Sequence, residues 1–251
     1  MGYTHYLTQR ARFTNAEWFD VKAAISSIAA LASQEGLKLG DMMGEQGRAW
    51  PEVETGDSGE YIGFNGLGEE SHETFSIGQD RAPLESWQDE KARGWIFCKT
   101  DRKPYDVAVT ACLCYLESAF PGKVYVSSDG RADDWQAGLA LARRALPALQ
   151  NVLTIPKDVT FESLFSRVIF SGGGLALAVL QDGSLCIADF RTYTIRGIFK
   201  TAEGAQWARE WSDRMAKERQ RKLPAKIAAL DRWQASKMRD FAQGAAVFKY
   251  I

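Results

Sequence analysis

Phe97-Cys98-Lys99-Thr100-Asp101-Arg102-Lys103-Pro104-Tyr105-Asp106 is the stretch on which the fold reading turns. With Gly94-Trp95-Ile96 ahead of it, the apolar run through Cys98 predicts a strand. Pro104 then predicts the first turn of a helix, where its missing N–H costs nothing. Val107, Ala108, Ala111, Cys112 and Tyr115 recur at helical spacing and form the expected buried face. Cys112 and Cys114 are too close in sequence to share one side of that helix. Pro121-Gly122 ends the helix, and Val124-Tyr125-Val126-Ser127 predicts a further strand. Asp129-Gly130 turns into a helix over about 131–146, stopped before Pro147.

Working toward the N-terminus, Glu73-Thr74-Phe75-Ser76-Ile77 and Tyr61-Ile62-Gly63-Phe64-Asn65-Gly66 read as a hairpin about an acidic turn. Residues 36–60 are glycine-rich and read as loop, and the polar residues 78–93 read as a loop or a short helical turn. Thr14 and Glu17 form the pattern of a capping box. The helix they open carries Trp18, Val21, Ile25, Ile28, Ala29 and Ala32 as an apolar stripe and stops near Gly36. Residues 2–7 predict a short strand. Toward the C-terminus, strands are expected at 168–170, 175–180, 185–188 and 194–199, with Asp182-Gly183 as a hairpin turn. A helix over about 202–222 and a second over 225–242 follow, separated by Pro224.

The expected fold is therefore α+β, with antiparallel sheets, packed helices and a C-terminal helical pair. Two modules are expected, 1–149 and 150–251, the second a β-hairpin module followed by basic helices.

The chain has 251 residues, of which 45% are apolar and 25% charged, so disordered, fibrous and disulfide-dense classes are excluded. No apolar run is long enough to cross a membrane, and none is expected as a partner. Met1-Gly2-Tyr3-Thr4-His5-Tyr6 lacks the basic and apolar regions of a secretory signal, and Tyr6 stands where a myristoylation signal needs Ser or Thr. Cys98, Cys112, Cys114 and Cys186 read as reduced thiols in a cytoplasm, three of them within apolar stretches. Charge is segregated: residues 209–251 carry a net of +6 and the rest a net of −7. The basic end reads either as a nucleic-acid contact or as a segment that packs on its own acidic body.

The strand-to-helix stretch holds the densest chemistry. Lys99, Arg102 and Lys103 lie beside helix N–H groups that carry partial positive charge, which predicts an anion-binding corner formed by these three residues and Tyr105. His5, Asn65, Glu73 and Asp106 are candidate supporting residues. The alternative is an internal ion-pair network in which Arg102 or Lys99 pairs with Glu73 or Asp106. Zinc, P-loop, dinucleotide and serine-hydrolase motifs are absent from the sequence, so no metal or cofactor is expected and no catalytic residue is assigned. Glu60, Glu73, Lys99 and Asp106 lack the spacing of a metal-dependent nuclease.

Met1-Gly2-Tyr3-Thr4-His5-Tyr6, Phe64-Asn65-Gly66, Glu73-Thr74-Phe75, Phe97-Cys98-Lys99-Thr100 and Arg102-Lys103-Pro104-Tyr105-Asp106 occur in this order. Together they resemble a family of uncharacterised bacteriophage and mobile-element proteins over roughly residues 1–145. The resemblance implies a setting, the bacterial cytoplasm, and no activity. With no complete catalytic constellation and with charge-segregated halves, the leading expectation in that setting is an accessory protein of host takeover or anti-defence type, acting on a host or phage protein. A nucleotide- or nucleic-acid-binding protein or enzyme using the Lys99–Asp106 corner, and a virion or assembly component, are the alternatives.

Overall fold

The structure is a computed structural model, and it describes residues 3–46, 51–56, 59–83, 93–172 and 175–199. The expected C-terminal helices and the basic segment 209–251 lie outside these residues. The chain is α+β, with antiparallel pairing throughout its sheets. It divides into two compact units, the first ending at Thr160 and the second beginning at Phe161. The sequence suggested a step at 149/150. The chain runs further into the first unit because Leu153 and Val159 are buried in that unit's core. Among the described residues no helix is long and apolar enough to cross a membrane.

The first unit is built on a three-stranded sheet. Strand β1 (Thr4–Gln9) lies at its centre, with β6 (Trp95–Lys99) on one side and β7 (Val124–Ser128) on the other. Both neighbours run antiparallel to β1, so they are parallel to each other. They are joined by helix α2 (Asp106–Ala119), which makes a split β-α-β unit with β1 inserted in the gap. Helices α1 (Asn15–Gln34) and α3 (Gln136–Ala145) pack with α2.

Local chemistry explains each helix. Thr14 accepts the Glu17 N–H while the Glu17 carboxylate accepts the Thr14 N–H, the expected capping box. At the other end of α1, Gly36 adopts φ +94°, and the Leu37 and Gly36 N–H groups close onto the Ala32 and Ser33 carbonyls. Helix α2 is buried on all sides from Ala108 to Leu116, which is why both Cys112 and Cys114 are interior despite pointing apart. Its neighbour α3 approaches so closely at Gly138 that a Cβ there would stand 2.2 Å from Thr110 Oγ1. The helix expected over 131–146 begins as a 3-10 turn, Ala132–Trp135, before α3.

A second sheet is centred on β4 (Gly59–Gly66), which pairs with β3 (Glu52–Gly56) on one edge and β5 (Phe75–Gly78) on the other. The short strand β2 (Leu39–Gly40) adds to its Asn65–Gly66 end. The hairpin expected from Tyr61 to Ile77 is present, with Phe64 opposite Phe75. Strands β2 and β3 fall within residues that read as loop, because Gly and Glu dominate them and the pairing comes from β4.

In the second unit β8 (Phe165–Gly172), β9 (Leu175–Leu180), β10 (Leu185–Asp189) and β11 (Thr194–Phe199) form an antiparallel meander in chain order. A short helix, α4 (Lys157–Glu162), precedes them and had no signature strong enough to be read from sequence. Phe161 makes edge-on ring contacts with Phe165, Phe190 and Tyr193 over a small core of Ala176, Ala178, Cys186 and Ala188. Asp189 is fully buried and accepts the Arg191 N–H and guanidinium.

Candidate functional site

Strand alternation gives the β6-β1-β7 sheet two unlike faces. The inner face carries Leu7, Cys98, Val124 and Val126 into the helices, and His5 among them. His5 lies opposite Cys98 on β6 and Ser128 on β7. Its Nε2 is 2.7 Å from Asp106 Oδ1, and its Nδ1 is 2.9 Å from Ser128 Oγ. Thr100 Oγ1 donates to the same Asp106 oxygen at 2.5 Å, and the Gly130 N–H donates to Ser128 Oγ. The Tyr3 and Trp135 rings stand edge-on to the imidazole at 5.0 and 5.1 Å. At 1% exposure His5 has every ring nitrogen satisfied, and this network ties the middle of β1 to the start of α2 and the end of β7.

The resemblance of Ser128, His5 and Asp106 to a hydrolytic triad is one of composition. The hydroxyl is buried with the imidazole, and it already receives the Gly130 N–H. Tyr3 Oη and Trp135 Nε1 are buried beside it without a well-formed hydrogen bond among the described residues. Burial, then the charges of Asp106 and Asp134, hold the Tyr3 hydroxyl well above its ordinary pKa, so it remains a neutral phenol.

The expected anion corner is divided among separate contacts. Arg102 donates to Asp134 Oδ1 at 3.0 Å and lies over the Tyr3 ring at 4.0 Å from its centroid. Burial pushes the Asp134 carboxyl up, but the Arg102 guanidinium and the Arg131 N–H outweigh it and hold it below its usual range. Lys103 Nζ donates to the Glu69 carbonyl at 3.0 Å. Tyr105 is buried, and its hydroxyl donates to the Glu73 carbonyl at 2.6 Å. Cys98 Sγ shares that carbonyl, and burial pushes this thiol up and out of nucleophilic range. Glu73 also takes the Lys99 N–H on its carboxylate at 2.7 Å, clasping the end of β6 to the start of β5. Asn65 holds the intervening turn through the His72 N–H and carbonyl. Asp106, the first residue of α2, places its own carboxylate where a helix N-terminus would attract an anion. The ion-pair alternative thus describes Arg102, with Asp134 as the partner rather than Glu73 or Asp106.

Glu60 bonds Lys22 and Trp18 instead of joining Glu73, Lys99 and Asp106. Among the described residues no group of three or more His, Cys, Asp or Glu side chains is gathered as metal ligands would be.

The outer face of the same sheet was missed. Tyr6 and Thr8 point outward from β1, Trp95, Phe97 and Lys99 from β6, and Tyr125 and Ser127 from β7. Tyr6 stacks on Trp95 at 6.0 Å with the planes 18° apart, and Trp95 meets Phe97 at 5.3 Å. Phe97 is 49% exposed. The Arg10 guanidinium lies 3.5 Å from the centre of the Tyr125 ring. The signal was present in the sequence: Trp95 and Phe97 are two apart on a strand whose other parity, Ile96 and Cys98, is already apolar.

The chain matches no known protein family, no curated protein and no solved structure.

Proposed function

We propose that this chain is a phage or mobile-element accessory protein that acts by macromolecular interaction in the bacterial cytoplasm, with the outer face of the β6-β1-β7 sheet as its contact surface. One observation carries the reading. Tyr6, Trp95, Phe97 and Tyr125 share a sheet face turned away from the helices, whereas the polar cluster at His5 is buried and internally satisfied. Aromatic side chains at this density on a solvent-facing sheet supply large contact area at low conformational cost. The setting rests on the resemblance of the sequence motifs to phage and mobile-element proteins.

The test is recovery of bound macromolecules from bacteria that express the full chain, compared with a Phe97→Ala, Trp95→Ala double variant. Loss of a bound protein or nucleic acid in the variant supports the reading. Retention of everything that the unaltered chain captures would overturn it.

A further inference from the structure

We infer that the outer sheet face takes single-stranded nucleic acid, with bases stacked on the Tyr6–Trp95–Phe97 cluster and phosphates met by Lys99 and Arg10. The inference deepens the proposed contact role of that face and rests on it.

The face has an unusual residue set for a protein contact. Its outward positions are aromatic rings, hydroxyls and one lysine, with no aliphatic side chain among them. A protein-binding patch ordinarily mixes aromatic groups with aliphatic or methionine side chains. Rings on the surface of a sheet are suited to planar, unstacked bases, which supply a π-face whatever their sequence.

Charge points the same way. Arg12, Arg102 and Lys123 each pair with an acid, Asp80, Asp134 and Glu17 respectively. Lys99 and Arg10 form no ion pair among the described residues, and they flank the aromatic cluster from opposite ends of β1. The Arg10 guanidinium is held over the Tyr125 ring, with no described acid on its N–H groups, which leaves them available to phosphate oxygens. Asp129, at the β7 end, is already engaged by the Thr4 N–H and the Tyr6 hydroxyl. The six residues of β1 span roughly 20 Å. A sheet of this kind accommodates about two or three stacked bases. A neutral oligosaccharide could use the rings but would leave the two cations without a role.

Fluorescence anisotropy of labelled oligo-dT and oligo-U with the full chain tests this. Both oligonucleotides should bind at low salt, and a duplex of the same length should bind more weakly. Phe97→Ala should weaken binding about tenfold or more, while Phe97→Trp restores it. Lys99→Ala should reduce the slope of log K against log salt by about 0.7. Phe97 is half exposed, so its replacement should leave the thermal melt nearly unchanged, and Phe97→Tyr is a second, milder variant. Failure of both oligonucleotides to bind would overturn the inference, as would binding indifferent to both Phe97→Ala and Trp95→Ala. Salt-independent capture of a neutral oligosaccharide instead would overturn it too, yet leave the face a contact surface. That broader reading falls separately, when the double variant retains every macromolecule that the unaltered chain recovers from cells.

Discussion

His5 Nε2 and Asp106 Oδ1 stand 2.7 Å apart, joining the centre of the sheet to the first residue of α2. The pair is buried at its imidazole end, and Ser128 and Thr100 complete its hydrogen bonds. Removing the imidazole leaves the Asp106 carboxylate and the Ser128 hydroxyl without their shared partner. His5→Phe should therefore cost about 2–4 kcal/mol in urea denaturation, and Ser128→Ala about 1 kcal/mol. A loss below about 0.5 kcal/mol for His5→Phe would show that the network does not hold β1 to α2.

Asp101 and Arg102 follow one another in the left-handed region, at φ 50° and 58°. Side chains with a Cβ pay for that conformation, and glycine does not. Arg102 recovers part of the cost through Asp134 and the Tyr3 ring, whereas the Asp101 side chain makes no such contact among the described residues. Asp101→Gly should raise stability by up to about 1 kcal/mol, while Arg102→Gly should gain less or lose. Matched thermal melts decide the matter, and a clear loss for Asp101→Gly would contradict the strain argument.

Two glycines with positive φ should respond unequally to alanine. Gly36 (φ +94°) has open space where a Cβ would go. Gly94 (φ +80°) would drive a Cβ to 2.1 Å from the Gln9 carbonyl oxygen, itself part of the β1 backbone. Gly36→Ala should cost about 1 kcal/mol, the conformational penalty alone. Gly94→Ala should cost about 3 kcal/mol or more, since backbone must move. Equal losses in the two variants would refute the steric part of this argument.

Glu17 gives the acid limb of stability a defined contributor. Its carboxyl is held below the ordinary range first by Lys123 and then by the Thr14 N–H. A carboxyl depressed in the folded state stabilises above its unfolded pKa, and that stabilisation is lost as pH falls through the folded value. Glu17→Gln should thus lower the melting temperature at neutral pH, with the gap to the unaltered protein closing in acid. A gap that stays constant with pH would assign the loss to the cap and not to charge. Thr14→Ala, which removes the cap itself, should cost about 1 kcal/mol at neutral pH and less in acid, because the Thr14 hydroxyl also donates to the Glu17 carboxylate.

Much of the secondary structure was written in local residue choices. Thr14, Glu17 and Gly36 bound α1 by capping chemistry that acts within a few residues, and Asp182-Gly183 fixes the β9–β10 turn in the same way. Strands β2 and β3 were illegible because their partner, β4, does the specifying. The charges at Lys99–Asp106 were legible as residue types but not as contacts. Asp134, which neutralises Arg102, lies 32 residues away and is carried there by the turn before α3. Ser128 escaped notice for a like reason, since only the β1–β7 register brings it to His5. The aromatic face needed knowledge of which parity of Trp95-Ile96-Phe97 meets the helices, and that is settled by packing.

The central position of β1 has a bearing on biogenesis. This strand precedes both of its partners in the chain, which arrive only after Lys99 and after Ser128 have been synthesised. Its register is therefore set by sequence-distant contacts, which places folding at the slow, high-contact-order end. Until then the nascent β1 presents two unsatisfied strand edges, a state vulnerable to off-pathway pairing and to capture by chaperones.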